Sequence, residues 1–72
     1  MATTLYATKD CPFSRAVRER LIAAGTRFTE IDVIEHPEVL PELLKVTRGR
    51  RIVPVLIDGV RIEIAADGGS EV

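Results

Sequence analysis

Cys11 is the only cysteine in this 72-residue chain, so no internal disulfide can hold its fold together. A domain of this size lies close to the limit at which one hydrophobic core is sufficient for stability. The apolar fraction of 46% can supply such a core, and the few Gly and Pro residues do not suggest a disordered chain. We therefore expect one compact domain over residues 1–72.

The overall charge excludes several kinds of partner. A formal net charge of −1 gives no general attraction to nucleic acid or to anionic membranes. No apolar run approaches the roughly 18–20 residues of a membrane span. The pattern typical of an export signal, a positively charged start followed by an apolar segment, is not seen either. Small secreted domains usually carry paired cysteines. We therefore expect a cytoplasmic protein that binds neither nucleic acid nor membrane and keeps its thiol reduced.

Local patterns along the chain predict the element order β-α-β-α-β-β. Runs rich in β-formers or alternating in polarity predict four strands, at Thr3–Ala7, Phe28–Val33, Ile52–Ile57 and Arg61–Ile64. An apolar residue about every four positions predicts a helix from Pro12 to a stop signal at Gly25.

A second helix is expected within residues 36–47, but its first residue is left open. Pro37 suits a first helical position, whereas Pro41 would cost an internal hydrogen bond if the helix began that early. Asp58-Gly59 predicts an antiparallel hairpin of the last two strands, and Ala65–Val72 suggests a loop or a short tail.

Parallel pairing of the first two strands needs a right-handed crossover, and helices must cover the faces of such an apolar sheet. This is the layout of a minimal thioredoxin-like α/β fold with a four-stranded mixed sheet.

Cys11 lies where the first strand gives way to the first helix. Reactivity, metal binding or chance could each explain a single thiol at this junction. Backbone N–H groups at a helix N-terminus lower the pKa of a thiol, and Lys9, Arg15 and Arg51 could add positive charge if the fold brings them near. Ser14 stands where a Cys-x-x-Cys motif has its second sulfur, and its hydroxyl could donate to the thiolate. The alternatives are a buried, inert cysteine and a plain helical serine.

Three segments together resemble the glutaredoxin family: Cys11-Pro12-Phe13-Ser14, Ile52-Val53-Pro54-Val55 and Asp67-Gly68-Gly69-Ser70. The chain is most similar to short glutaredoxin-like proteins that have Cys or selenocysteine at the first motif position and Ser or Thr at the fourth. It departs from the family in three ways. The second thiol is missing, Lys9 stands two rather than three residues before the cysteine, and the usual C-terminal helix has no sequence to form it.

The resemblance implies a binding site for glutathione. Pro54 should follow a cis peptide bond and face Cys11, and the Val53 backbone should pair with the cysteine of glutathione. Arg51 should bind the glycine carboxylate, while Gly69 and Ser70 offer donors to the γ-glutamyl end. The residues beside the thiol, namely Lys9, Pro12 and Phe13, complete the expected site. The alternatives are core packing for Phe13, a solvated arginine loop and a disordered tail.

These expectations lead to a monothiol glutaredoxin-like oxidoreductase that reduces glutathione mixed disulfides through Cys11, assisted by Ser14. Glutathione is the expected co-substrate, glutathionylated proteins or small disulfides are the expected substrates, and we expect a monomer without a metal. The alternative is a carrier without reductase activity. Such a carrier would either hold an iron–sulfur cluster between two chains and two glutathiones, or bind glutathione alone. A third interpretation is a binding module that kept the fold without activity.

Overall fold

The computed structural model describes residues 2–66 and 68–72. Its six strands are β1 (Thr3–Ala7), β2 (Thr29–Asp32), β3 (Ile52–Val53), β4 (Val55–Asp58), β5 (Arg61–Ile64) and β6 (Ser70–Glu71). Its two α-helices are α1 (Pro12–Ala23) and α2 (Leu40–Thr47). Neither of these two helices in the described part of the chain is long and apolar enough to cross a membrane.

The main sheet has four strands in the order β2-β1-β4-β5. β1 pairs in parallel with β2, and Tyr6 lies opposite Ile31. The β1–β4 and β4–β5 pairs are antiparallel, and Leu5 lies opposite Leu56. The predicted mixed sheet, with its parallel first pair and its terminal hairpin, is confirmed.

The hairpin turn lies one residue later than Asp58-Gly59 suggests. Asp58 still pairs with Arg61, so the two-residue loop is Gly59-Val60, and Gly59 adopts a φ of 62°. Glycine reaches such positive φ values without the penalty that a Cβ brings, which suits a tight hairpin. The Asp58 carboxylate accepts a hydrogen bond of 2.9 Å from the Thr3 hydroxyl and so ties β4 to β1.

The two helices cover opposite faces of the sheet because alternate residues of each strand point to opposite sides. On one face Leu5 and Leu56 pack against the α1 residues Val17 and Leu21. On the other face Tyr6 and Val55 join a cluster that contains Leu43 of α2. Burying a side chain such as Leu43, which is 0% exposed, contributes roughly 1.5–3 kcal/mol, so these two clusters hold the domain together.

The start of the second helix is resolved into two steps. Pro37–Val39 forms a 3₁₀ turn, and α2 begins only at Leu40. Pro41 then lies in the first turn of α2, where a backbone N–H has no partner within the helix in any case. Pro41 therefore removes no hydrogen bond within α2, because the helix begins at Leu40 rather than at Pro37.

Ser70 and Glu71 form a strand, so the expectation of a loop or short tail over Ala65–Val72 was wrong for these two residues. β6 pairs antiparallel with β3 in a two-stranded ribbon, in which Ile52 lies opposite Glu71 and Val53 opposite Ser70. The Val72 N–H extends the pairing by donating to the Arg51 carbonyl over 2.9 Å. The predicted third strand is accordingly two strands, β3 and β4, on either side of Pro54.

Candidate active site

Cys11 is the N-cap residue of α1, and its own sulfur serves as the cap. Its backbone is extended, with φ −93° and ψ 113°, and Sγ accepts a hydrogen bond of 3.3 Å from the Ser14 backbone N–H. Pro12 occupies the first helical position and has no backbone N–H. This removes no helical hydrogen bond, because an N–H at that position would have no partner within the helix. No acidic side chain lies in the first turn. The positive end of the helix dipole therefore acts directly on the sulfur.

A hydroxyl contact to the same sulfur comes from the far end of the chain. The Ser70 hydroxyl in β6 donates to the Cys11 Sγ over 3.2 Å, and the thiol itself lies 4.0 Å from the Val53 carbonyl oxygen. Ser70 was predicted to donate to glutathione, and its contact with the sulfur was not predicted. No local signal could reveal it, because 59 positions separate the two residues.

These contacts decide the acidity of the thiol. Burial, the largest single influence, raises the pKa of Cys11. The Ser14 hydroxyl as a donor to the ionised sulfur, the Ser70 hydroxyl, and the backbone N–H groups of Ser14 and Phe13 together lower the pKa by more than burial raises it. The net result is a pKa below the usual value for a thiol. Basic side chains are not among these main causes, although Lys9, Arg15 and Arg51 were considered for that role.

Ser14 occupies the position of the missing second thiol and is completely buried. Its hydroxyl oxygen has no well-formed hydrogen-bond partner among the described residues. A buried hydroxyl without a partner costs about 1–3 kcal/mol. The neighbouring sulfur offers a use for that hydroxyl, because the O–H group can rotate and donate once Sγ carries a negative charge.

The Val53–Pro54 peptide bond is cis, as predicted, and both residues are buried. Val53 is 0% exposed and belongs to the same apolar cluster as Cys11. The neighbour opposite Val53 on the β3 edge is Ser70. In this conformation the backbone expected to receive glutathione therefore lies against the protein's own β6.

The segment that leads into β6 fits tightly against the site. A Cβ placed on Gly69 would lie 2.4 Å from the Val53 carbonyl oxygen, and one placed on Gly68 would lie 2.8 Å from Cε1 of the Phe13 ring. Phe13, at 38% exposed, thus lies over the glycines rather than in the core. Asp67, the first residue of the third family-like segment, lies outside the described residues.

The predicted basic residues lie apart from the sulfur. Lys9 is exposed and forms an ion pair with Glu35. Arg51 lines a cavity of about 380 Å³ together with Gly49, Arg50, Ile52, Glu71 and Val72. β6 therefore contributes Glu71 to this cavity and Ser70 to the cover over Cys11.

No group of three or more His, Cys, Asp or Glu side chains that could hold a metal ion is found within residues 2–66 and 68–72.

An acidic thiol at a helix N-terminus, beside a cis-proline that precedes a strand of an α/β sheet, is the arrangement of a thiol oxidoreductase with a thioredoxin-like fold. The glutaredoxin family model matches residues 3–62, and the chain belongs to the glutaredoxin family.

Among solved structures the chain is similar to NrdH-redoxin from Escherichia coli, a glutaredoxin-like protein with a thioredoxin-like activity profile. The two are 30% identical with a TM-score of 0.78, and the match covers 89% of this chain and 82% of NrdH-redoxin. A comparison with curated protein sequences gave no significant match.

Proposed function

We propose that the protein is a glutathione-dependent, monothiol thiol–disulfide oxidoreductase of the cytoplasm. In the first step the Cys11 thiolate attacks the glutathione sulfur of a mixed disulfide between glutathione and a substrate thiol. A disulfide between Cys11 and glutathione forms, the original disulfide breaks, and the substrate leaves as a thiolate that takes a proton from water. A second glutathione then attacks the Cys11-bound glutathione, which regenerates the Cys11 thiolate and releases oxidised glutathione.

The observation that carries this proposal is the pairing of a thiol at the N-terminus of α1 with a buried hydroxyl at the fourth motif position. Cys11 is the only sulfur nucleophile in the chain, and Ser14 cannot attack a disulfide to release a bound substrate. An external thiol must resolve the mixed disulfide. Glutathione, a small and abundant cytoplasmic thiol, can reach a sulfur that the fold surrounds closely.

The likeness to NrdH-redoxin favours a second candidate, a thioredoxin-like activity that takes electrons from a protein reductant. Such a reductant would have to attack a mixed disulfide at Cys11, because this chain cannot form an internal disulfide. The thiol is 2% exposed, which disfavours attack by a large protein more than attack by a tripeptide. Glutathione is therefore our first candidate.

Arginine side chains provide the charge that glutathione needs. The ligand is anionic at neutral pH, and exposed Arg50 and Arg51 line the cavity at the outer end of β3. Arginine binds carboxylates through two parallel hydrogen bonds, which suits the glycine end of the tripeptide. Gly69 and Ser70 remain the proposed donors for the γ-glutamyl end, once β6 has moved from its present position.

A steady-state assay tests the function. The protein is given a small glutathione mixed disulfide together with either glutathione and its flavoprotein reductase, or a thioredoxin-type flavoprotein reductase alone. We expect turnover only with glutathione, none with Cys11→Ser, and most of the wild-type rate with Ser14→Ala. Turnover with the second reductase alone would favour the thioredoxin-like candidate, and turnover with neither would refute both.

A further inference from the structure

The thiol that should react with disulfides is closed off by the protein's own last strand. Cys11 is 2% exposed, and β6 covers it by placing Ser70 opposite Val53 with its hydroxyl 3.2 Å from Sγ. Disulfide exchange needs an incoming sulfur in line with Sγ, and the Ser70 side chain already contacts that sulfur. In this conformation β6 therefore covers the sulfur that an incoming disulfide would have to reach.

Several contacts keep β6 in place. The Val72 N–H donates to the Arg51 carbonyl, Gly69 fits beneath the Val53 carbonyl, and the Val72 side chain packs on the apolar cluster that contains Cys11. Yet the strand has two residues and pairs with β3 alone, outside the main sheet. Short two-stranded pairings are marginal in water, and such segments open at low free-energy cost.

The chain also contains a suitable place to bend. Gly68 has a φ of 113°, in a region that favours glycine, and Gly69 follows it immediately. Rotation at these two glycines can move β6 without disturbing the hairpin of β4 and β5. Hinges of this kind concentrate large backbone changes in a few residues at the end of an element.

We infer that β6 is a gate that closes over the reduced thiol, opens to admit the disulfide, and stays open while Cys11 carries a mixed disulfide. In the closed state Ser70 acts as a positioning residue that holds the sulfur through its hydroxyl, and an incoming disulfide reaches Sγ only after β6 has moved. In the open state the β3 edge at Val53 is free to pair with the incoming glutathione or peptide. The inference rests on the proposed function, because only a reacting Cys11 requires a gate.

The test uses substitutions that act on the gate without touching the sulfur. A methyl group on Gly69 has no room in the closed state, since it would lie 2.4 Å from the Val53 oxygen and 2.9 Å from the Ala65 Cβ. Gly69→Ala should therefore hold β6 open. Glu71→Ala is the matched control, because the Glu71 side chain is exposed in the same strand and its backbone pairing is retained.

The first readout is the rate at which Cys11 reacts with a chromogenic aromatic disulfide. It is measured at a pH where the Cys11 thiol is fully ionised in every variant. Gly69→Ala should react about tenfold faster than wild type, the factor expected when overpacking removes a closed state of modest stability. Glu71→Ala should react at the wild-type rate. Equal rates for all three proteins would show that β6 controls no access.

The second readout is hydrogen exchange of the Val72 amide in the wild-type protein, which needs no substitution and no turnover. It should be slow in the reduced protein and fast after S-methylthiolation of Cys11 with methyl methanethiosulfonate, in which the thiolate displaces methanesulfinate. Unchanged exchange after this modification would overturn the gate. Neither readout uses glutathione, so a failure of the gate is distinguishable from a failure of the proposed function.

Discussion

Replacing Ser70 with alanine removes the hydroxyl that donates to the Cys11 sulfur over 3.2 Å, while the backbone of β6 can still pair with β3. A hydrogen bond to a charged group contributes about 1.5–3 kcal/mol, and the lower end applies here because Ser70 is only partly buried. The bond favours the thiolate over the thiol, so its loss raises the pKa of Cys11. The rate–pH curve for alkylation should therefore move to higher pH.

Since about 1.4 kcal/mol corresponds to a factor of ten in a protonation equilibrium, the thiolate population well below the midpoint should fall by about tenfold. Iodoacetamide alkylation, followed across a pH series, measures this effect. The midpoint of the curve reports the acidity of the thiol, whereas the plateau at high pH reports access to it. The two effects of removing Ser70 are therefore separable.

Ser70→Thr is the control, because it retains a hydroxyl and threonine is favourable in a strand. Its midpoint should stay close to that of the wild type. If Ser70→Ala leaves the midpoint unchanged, the Ser70 hydroxyl does not stabilise the thiolate, and the reasoning about this contact is refuted.

Three further predictions concern nucleophile, ligand and fold. Cys11→Ser should abolish disulfide exchange in the glutathione-coupled assay, whereas Ser14→Ala should retain most of it; equal losses would give Ser14 a larger role. Arg51→Ala should weaken glutathione binding in an NMR titration by about 1–3 kcal/mol, while Arg27→Ala, which also removes an exposed arginine, should not. Leu43→Ala should lower the free energy of unfolding in urea by about 2–5 kcal/mol, since this side chain is fully buried; a loss below about 1 kcal/mol would contradict its place in the core.

Local sequence patterns were sufficient to predict the bounds of those helices and strands that bury one face or end at a clear turn signal. The bounds of β1 and β5 agree with prediction, and α1 begins at Pro12 and ends just before Gly25, which has a φ of 71°. In each case the side-chain period or the turn residue depends on neighbours within a few positions. Two pairings of the main sheet, β1 with β2 and β4 with β5, followed from chain direction and the hairpin signal, whereas the pairing of β1 with β4 was not predicted.

The ribbon of β3 and β6 could not be read from the sequence. A strand of two residues shows no period, and the stability of β6 comes from partners about 20 positions earlier, through pairs such as Ile52 with Glu71. The same limit applies to the site. Cys11 at a helix N-terminus was predictable from local sequence, whereas the contact of Ser70 with its sulfur depends on tertiary structure.

In the proposed reaction Cys11 exchanges disulfides through a glutathione adduct that a second glutathione removes. Intact-protein mass spectrometry can follow both steps. The reduced protein is mixed with a glutathionylated peptide, and reduced glutathione is added afterwards. We predict that wild type first gains the mass of one glutathione at Cys11 and then returns to its original mass, while Cys11→Ser shows neither change. A wild-type protein that forms no adduct, or an adduct that glutathione does not remove, would contradict the account.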